Sequence, residues 1–199
     1  MATEKELKLI ESYCKGRGLN IGCGLRPIPG AINVDIAPKA LADVFAPASM
    51  LPFYSNRFDY VVSSHCLEHV QEAPLIILRE WHRVLKVGGT LAFIVPDGRC
   101  GLHALGEFPG IFIEGKHVNT FDQPTLLNLM MYAGFVDINF ITMKREEWKS
   151  RTIFATGKKL KESSEEIPGD SFRAYLLWLG AVRKTVTPLG LLKWLRHKW

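Results

Sequence analysis

The stretch that decides the fold is Leu19-Asn-Ile-Gly-Cys-Gly-Leu-Arg-Pro-Ile-Pro-Gly-Ala-Ile-Asn-Val-Asp35. It has the pattern of a short apolar strand, a glycine turn, a second apolar strand and a carboxylate at the end of that strand. Gly22 and Gly24 allow backbone to approach a ligand closely, and their N–H groups could bind a carboxylate or phosphate. Asp35 is placed to accept hydrogen bonds from a ribose diol. The stretch therefore predicts a site for an adenosine-containing cofactor, although a Gly-x-Gly can also be only a tight strand exit.

The spacing within this stretch argues against a nicotinamide cofactor. The dinucleotide-binding fingerprint has a third glycine or alanine where this chain has Pro27. Gly22 and Asp35 are thirteen positions apart, whereas a complete strand-helix-strand unit needs roughly twenty. Pro27 and Pro29 also remove two backbone donors. We expect a loop in place of the first crossover helix.

The composition is that of a globular domain in a reducing compartment. A chain of 199 residues with 47% apolar content can bury one substantial core. The four cysteines contain no CxxC pair, which argues against a zinc knuckle and a disulfide framework. The sequence shows no apolar leader and no uncharged run long enough to span a membrane. We expect a cytoplasmic location.

The net charge of +5 is concentrated at one end of the chain. Residues 171–199 contain six Lys or Arg and no acid, so residues 1–170 sum to −1. We therefore expect no nucleic-acid partner for the main domain. The predicted organisation is a domain over residues 1–158, a linker over 159–170 and a basic amphipathic helical tail over 171–199. The tail could pack on the domain or on a second subunit in a homodimer, or it could lie on the inner face of an anionic membrane.

Short apolar segments alternate with helical patterns along the domain. The predicted strands are 18–21, 32–35, 43–45, 58–63, 90–95, 136–142 and 153–156, and the predicted helices are 4–14, 74–86 and a segment from Asp122 to Gly134. Such alternation predicts an open α/β sheet that binds ligands beyond the carboxyl ends of its strands.

Several ordered motifs resemble those of one enzyme family. The motifs are Leu-Asn-Ile-Gly-Cys-Gly at 19–24, Asn-Val-Asp at 33–35, Leu-Pro-Phe at 51–53, Phe-Asp-Tyr-Val-Val-Ser-Ser-His-Cys-Leu-Glu-His at 58–69, Leu-Arg-Glu-Trp-His-Arg-Val-Leu-Lys-Val-Gly-Gly at 78–89, and Val-Pro-Asp at 95–97. Together they resemble the class I S-adenosylmethionine-dependent methyltransferases, specifically the type 11 group of small bacterial methyltransferases. The resemblance implies a Rossmann-like seven-stranded sheet, mostly parallel, with the last strand antiparallel.

The resemblance also implies S-adenosyl-L-methionine as cofactor and a set of residues that bind it. By position these are Gly22, Cys23 and Gly24 for the methionine part, Asp35 with Ile36 for the ribose, Ser49 and Met50 for the adenine neighbourhood, and Ser64 and His65 for the sulfur side. Asn20 and Pro47-Ala48 depart from the family pattern, because many relatives have acids there. The implied activity is O-methylation of a hydroxyl on a small molecule or on a cell-surface polysaccharide precursor. The alternative is a non-catalytic binding or scaffold protein that keeps the fold.

Two residues are candidates for chemistry on the acceptor. His117 lies in a long loop that such a sheet places over the substrate mouth, and a histidine could take the proton of an acceptor hydroxyl. Asp97 could orient that base or the hydroxyl. The alternative interpretations are that His117 stabilises its loop and that Asp97 caps a local turn.

The segment His65-Cys66-Leu67-Glu68-His69 matches the HxxEH pattern of an inverted zinc peptidase. It follows a predicted strand inside a methyltransferase motif, so no metal is predicted for the protein. Glu68 and His69 are the only weak candidates for divalent-ion ligands, and the simpler interpretation is that they stabilise the turn and the start of a helix.

Overall fold

The computed structural model describes residues 2–99, 117–145 and 150–161. Within these residues the strands are β1 (Gly18–Ile21), β2 (Ile32–Asp35), β3 (Val44–Phe45), β4 (Phe58–Ser64), β5 (Leu85–Pro96), β6 (Phe135–Arg145) and β7 (Ser150–Lys159). The helices are α1 (Glu4–Glu11), α2 (Pro74–Val84) and α3 (Gln123–Tyr132), with a 3-10 turn at Leu67–His69. Most of the predicted linker and all of the predicted tail lie outside the described residues. No described helix is both long and apolar enough to cross a membrane.

The strands form one sheet in the order β3-β2-β1-β4-β5-β7-β6. Strands β1 to β5 are parallel to one another, and β7 is antiparallel to both β5 and β6. The prediction of a mostly parallel sheet with an antiparallel last strand is confirmed. The carboxyl ends of β1, β2, β4 and β5 therefore meet at one edge of the sheet.

A loop replaces the first crossover helix, as predicted. Between β1 and β2 the structure has turns and no helix. A buried polar network fixes this loop: Asn20 Nδ2 donates to Asn33 Oδ1 at 2.9 Å, and Asn33 Nδ2 donates to Asp43 Oδ2 at 3.0 Å. Asn33 Oδ1 also accepts from the Ile28 backbone N–H at 2.7 Å. Asn20 thus holds the loop that carries the glycine turn.

Alternate residues of the central strands face two separate cores. Val61, Leu91 and Phe93 pack with Trp81 of α2 and with α3 on one face of the sheet. On the other face, residues such as Val62 and Ile94 pack against α1. This alternation is the period of two that a strand imposes on its side chains.

The predicted end of the second helix is wrong. The chain pattern predicts a helix to Lys86 that Gly88-Gly89 stops, but α2 ends at Val84 and Leu85 is already extended and pairs with Phe58. The buried Lys159 ammonium lies at this helix end and donates to the carbonyls of His82, Arg83 and Leu85. A cation at a helix C-terminus satisfies carbonyls that have no helical partner.

The other boundary differences have local causes. The first helix ends at Glu11 rather than at residue 14. Strands β5, β6 and β7 are longer than predicted because β7 pairs with both β5 and β6 along most of its length.

The two edges of the sheet are irregular or short. At one edge β3 has only two residues. At the other, the register of β6 shifts between Val136 and Asn139, and Asp137 has a φ of +50°.

Candidate functional site

The glycine turn at the end of β1 leaves no room for a side chain at residue 22. Gly22 has a φ of +72°, and a Cβ there would meet Cys66 Cβ at 2.5 Å and Cys66 Sγ at 2.6 Å. Gly24 has a φ of +51°, and a Cβ on it would point into open space. The turn therefore brings bare backbone to the carboxyl edge of the sheet, as the sequence predicts.

The N–H groups of this turn do not play the predicted role. Those of Gly22 and Cys23 donate to the Val34 carbonyl at 2.8 and 3.2 Å, and that of Gly24 donates to Asp35 Oδ2 at 2.8 Å. The prediction that they bind an anion is wrong for this conformation, because the neighbouring strand β2 already uses them. The turn can still accommodate a ligand closely, because Gly22 and Gly24 carry no side chains.

Asp35 lies at the end of β2, and its carboxylate binds the glycine turn that follows β1. Its Oδ2 accepts from Gly24 and its Oδ1 accepts from the Ala37 N–H at 2.8 Å. Because a carboxylate can accept about four hydrogen bonds, both oxygens keep acceptor capacity for a diol.

Ile36 follows Asp35 directly and is exposed. Leu41, which the sequence analysis did not include, is also exposed, and its backbone N–H donates to the Gly24 carbonyl. Apolar side chains thus flank the carboxylate, as a flat apolar ring would require.

Ser49 and Met50 lie on the loop after β3. Both are half-buried, and Ser49 Oγ donates to Glu72 Oε1 at 2.8 Å. Helix α2 fixes this loop, because the Trp81 indole donates to the Ala48 carbonyl at 3.1 Å and Glu80 accepts from the Leu51 N–H at 2.6 Å. These two predicted residues therefore belong to a rigid part of the edge.

Ser64 and His65 end β4 at the middle of the same edge. The Ser64 Oγ is buried and has no hydrogen-bond partner within the described chain. His65 has a φ of +54°, an uncommon backbone conformation that is concentrated at functional sites. Its Nδ1 lies 3.1 Å from Glu68 Oε1 and its Nε2 lies 3.9 Å from Glu6 Oε1. Burial lowers the pKa of His65, but the two carboxylates outweigh it and raise the pKa above its usual value.

Glu6 of α1 is a buried acid at this edge that the sequence analysis missed. Its Oε2 accepts from the backbone of Thr3 in a capping box, and its Oε1 accepts from Thr152 Oγ1 at 2.7 Å. Burial alone would raise the pKa of Glu6, but its interactions with His65, Thr3 and Thr152 and the charge of Arg145 hold the pKa at about 2. The Thr-x-x-Glu spacing signals a helix start. Nothing in that spacing signals that the glutamate also reaches the far strand.

Asp97 follows β5 and is fully buried. Its Oδ1 lies 3.3 Å from Arg99 Nε and its Oδ2 lies 3.4 Å from Arg151 Nε. Its backbone forms a bridge to Phe121. Asp97 therefore pairs with arginines on both sides rather than with the predicted base.

His117 is exposed and lies over the 3-10 turn at Leu67–His69. Its ring centroid is 4.8 Å from that of His69, and the next two N–H groups, of Val118 and Asn119, donate to the Glu68 carbonyl. Potential ligand atoms of Glu68, His69 and His117 all lie within 4.8 Å of one another. The structure thus brings His117 to the two weak metal candidates, and this trio has the size to hold a cation.

The thiols in the site are not set up as nucleophiles. Burial raises the pKa of Cys23 and of Cys66 to about 12, and the nearby Asp35 adds to both shifts. Both are therefore protonated at neutral pH, and Cys66 acts as a packing partner of the glycine turn.

Comparisons with known proteins agree with this architecture. A family model described as a methyltransferase domain matches residues 12–139. Among curated proteins, the malonyl-(acyl-carrier protein) O-methyltransferase of Laribacter hongkongensis (strain HLHK9) is 34% identical over 120 residues. The match covers 56% of this chain and 39% of that protein, so the chain spans well under half the length of this relative.

Solved structures share the fold. A SAM-dependent methyltransferase of Thermotoga maritima, described as a possible histamine N-methyltransferase, has a TM-score of 0.66 and 22% identity, covering 77% of this chain and 87% of that one. Phosphoethanolamine N-methyltransferase 2 of Haemonchus contortus, solved with S-adenosyl-L-methionine, has a TM-score of 0.58 and 16% identity, covering 78% and 52%.

Proposed function

The chain belongs to the methyltransferase-domain family and is an S-adenosyl-L-methionine-dependent enzyme, and we propose that its methyl acceptor is a hydroxyl of a small molecule or saccharide. The observation that carries the proposal is the set of buried polar groups at the end of β4 and β5. The set consists of Glu6, His65, Glu68 and Asp97, and Cys66, the neighbour of His65, lies against the glycine turn that ends β1. Among these groups Glu68 Oε2 and Asp97 Oδ2 accept no hydrogen bond within the described chain, and an acceptor hydroxyl is a donor that could supply one.

The residues present fit the cofactor. When bound, S-adenosyl-L-methionine supplies a methyl group that its sulfonium already activates. The Asp35 carboxylate keeps acceptor capacity for the ribose diol, and Ile36 and Leu41 offer apolar surface for the adenine. The open space beside the Gly24 backbone leaves room for the cofactor to pass the turn. The buried Ser64 Oγ needs a hydrogen-bond partner that a ligand on this edge would provide.

The protein's task is then to align the acceptor and exclude water, because the methyl group is activated in advance. His117 is the residue we assign to removal of the acceptor proton, since it is exposed at the rim and fixed by its contact with His69. The name of the Laribacter relative specifies transfer to oxygen, which supports an oxygen acceptor here.

Calorimetry with S-adenosyl-L-methionine and its demethylated product tests the cofactor site. We expect Asp35→Ala to weaken binding tenfold to a hundredfold, because roughly 1.5–3 kcal/mol is typical of a hydrogen bond to a charged group. Asp59→Ala is the matched control, because that carboxylate lies on the surface and binds Lys86 and the Arg17 backbone. If wild type and Asp35→Ala bound the cofactor with equal affinity, Asp35 would not be the residue that binds the ribose.

The acceptor class needs a separate measurement. Purified enzyme and cofactor are incubated with panels of hydroxyl, carboxyl and amine acceptors, and the methylated products are identified by mass spectrometry. Methylation of saccharide or small-molecule hydroxyls supports the proposal. Exclusive methylation of amines or of carboxylates would overturn it while leaving the cofactor site intact.

A further inference from the structure

Helix α3 presents an outer surface that is unusual for a solvent-exposed helix. Its ten residues include no charged side chain. Leu126 and Met130 are buried, but Leu127, Met131 and Tyr132 are exposed, the last two by 59% and 73%. We call these three exposed residues the α3 patch. By contrast, the outer face of α1 carries Glu4, Lys5 and Lys8. Single exposed apolar residues are ordinary, whereas a contiguous set on one helix marks a contact surface.

The described chain ends beside this patch. Lys159, the last residue of β7, pairs with Phe135, which follows α3 after a turn at Ala133 and Gly134. The next residue, Leu160, is 60% exposed. Residues 162–199 therefore continue from a point next to the C-terminal end of α3.

The sequence beyond this point contains an apolar stripe of suitable length. Residues 172–182 are apolar except for Arg173 and Gly180, and five of the larger ones recur at helical spacing: Phe172, Tyr175, Leu176, Leu179 and Val182. Only ten residues separate this stripe from Lys161, and they can span roughly 35 Å when extended. A ten-residue helix such as α3 is only about 15 Å long. The stripe can therefore reach every part of the patch.

The charge distribution distinguishes the stripe from the rest of the tail. Residues 172–182 contain one charged residue, Arg173, whereas residues 183–198 contain five basic residues. The uncharged α3 patch is complementary to the almost uncharged stripe. The patch contains no acidic residue that could pair with the basic residues of 183–198. Because the linker is short, the stripe is present at an effective concentration in the millimolar range, well above that of a second copy in dilute solution.

We infer that residues 172–182 pack against the α3 patch of the same chain. The patch belongs to the helix that Asp122 caps, directly after the backbone bridge between Asp97 and Phe121. Docking there would place the stripe on the helix that leads out of the acceptor side of the site. This inference does not depend on the identity of the acceptor.

Hydrogen exchange on the full-length protein tests the inference with three variants. Met131→Lys puts a charge into the patch, and Leu176→Asp with Leu179→Asp puts charges into the stripe. Ile76→Lys is the matched control, since Ile76 is a 54% exposed apolar residue on α2. Thermal unfolding shows that each variant is folded, and Tyr132→Ser serves as a milder patch variant.

We expect amides of residues 172–182 to be protected in monomeric wild type and to exchange at least tenfold faster in Met131→Lys and in Tyr132→Ser. The stripe variant should raise exchange at residues 123–134, and Ile76→Lys should change neither region. The inference is overturned if 172–182 are unprotected in wild type, or if Met131→Lys leaves their exchange unchanged. It is also overturned if the protection requires a dimer seen in sedimentation velocity, or if it appears only with anionic phosphatidylglycerol vesicles.

Discussion

Thr152 Oγ1 donates a hydrogen bond of 2.7 Å to Oε1 of Glu6, although the two residues are 146 positions apart. The bond ties the first helix to the last strand of the sheet directly beside His65. The Arg145 Nε lies 3.8 Å from the same oxygen. One buried carboxylate thus holds together three elements at the edge where the ligands bind.

Replacing Glu6 by glutamine should destabilise the protein by about 3 kcal/mol at pH 7, because the pKa of this carboxyl is lowered from 4.5 to about 2 and each pKa unit corresponds to about 1.4 kcal/mol. Glutamine also serves in a capping box, so the helix start is retained while the charge is lost. A pKa lowered from 4.5 to about 2 means that the charge stabilises the fold above about pH 4.5 and that this contribution is lost as the pH falls toward 2. Denaturant unfolding should therefore show a shallower pH dependence in Glu6→Gln than in wild type over that window. Glu4→Gln on the exposed side of the same helix is the control, and equal losses in the two variants would contradict the assignment.

Gly22→Ala should cost more stability than Gly30→Ala. Both glycines have positive φ, at +72° and +83°, so both variants carry backbone strain of about 1–2 kcal/mol. Only the new Cβ at residue 22 meets another group, the Cys66 side chain, which adds overpacking of about 1–3 kcal/mol. Denaturant unfolding and cofactor calorimetry measure both effects. In a double-mutant cycle, Cys66→Gly, which removes both the Cβ and the Sγ of residue 66, should recover the additional loss, and absence of recovery would show that the clash is not its cause.

His117→Ala should lower kcat by roughly a hundredfold or more, the range typical of a lost general base. Cofactor affinity should stay at the wild-type value, because His117 packs against His69, which belongs to the 3-10 turn at Leu67–His69 and not to the glycine turn. Steady-state kinetics on an identified acceptor measures kcat, and calorimetry measures the affinity. Thr120→Ala, an exposed change in the same segment, is the control. A wild-type kcat in His117→Ala would rule out its assignment as the base.

His82 should make the protein sensitive to mild acid. Burial, assisted by the charge of Lys159, lowers the pKa of His82 to about 4, so the folded state keeps it neutral while the unfolded chain takes up a proton below about pH 6.5. The resulting loss reaches about 2 kcal/mol at pH 5. His65 acts in the opposite direction, since its raised pKa gives stability that is present below pH 6.5 and is lost at higher pH.

Thermal unfolding of His82→Gln between pH 7.5 and pH 5 checks this prediction. Glutamine does not titrate, so the variant should lose less stability than wild type over that range. His65→Gln should show the reverse difference. Parallel pH profiles for wild type and His82→Gln would contradict the assigned cause.

The parts of the fold that the sequence predicts are those that local patterns control. The glycine turn, the prolines that exclude a first crossover helix and the carboxylate at the end of β2 all lie within one stretch of the chain. The end of α2 could not be predicted this way, because Lys159 reaches it from 74 positions or more away. The role of Glu6 was missed for the same reason. The N–H groups of the turn were assigned to a ligand because the sequence does not show that the Val34 carbonyl and the Asp35 carboxylate lie against them.

The two outer strands of the sheet, β3 and β6, are poor templates for the addition of a strand from another molecule. An unpaired strand invites another chain to add alongside it, which leads to swapped dimers or fibrils. Here one border is only two residues long, and the other is kinked by the left-handed Asp137 and its register shift. A bulge of this kind bends the border away from a straight partner. We therefore expect a partner strand to add poorly at β3 and at the kinked start of β6.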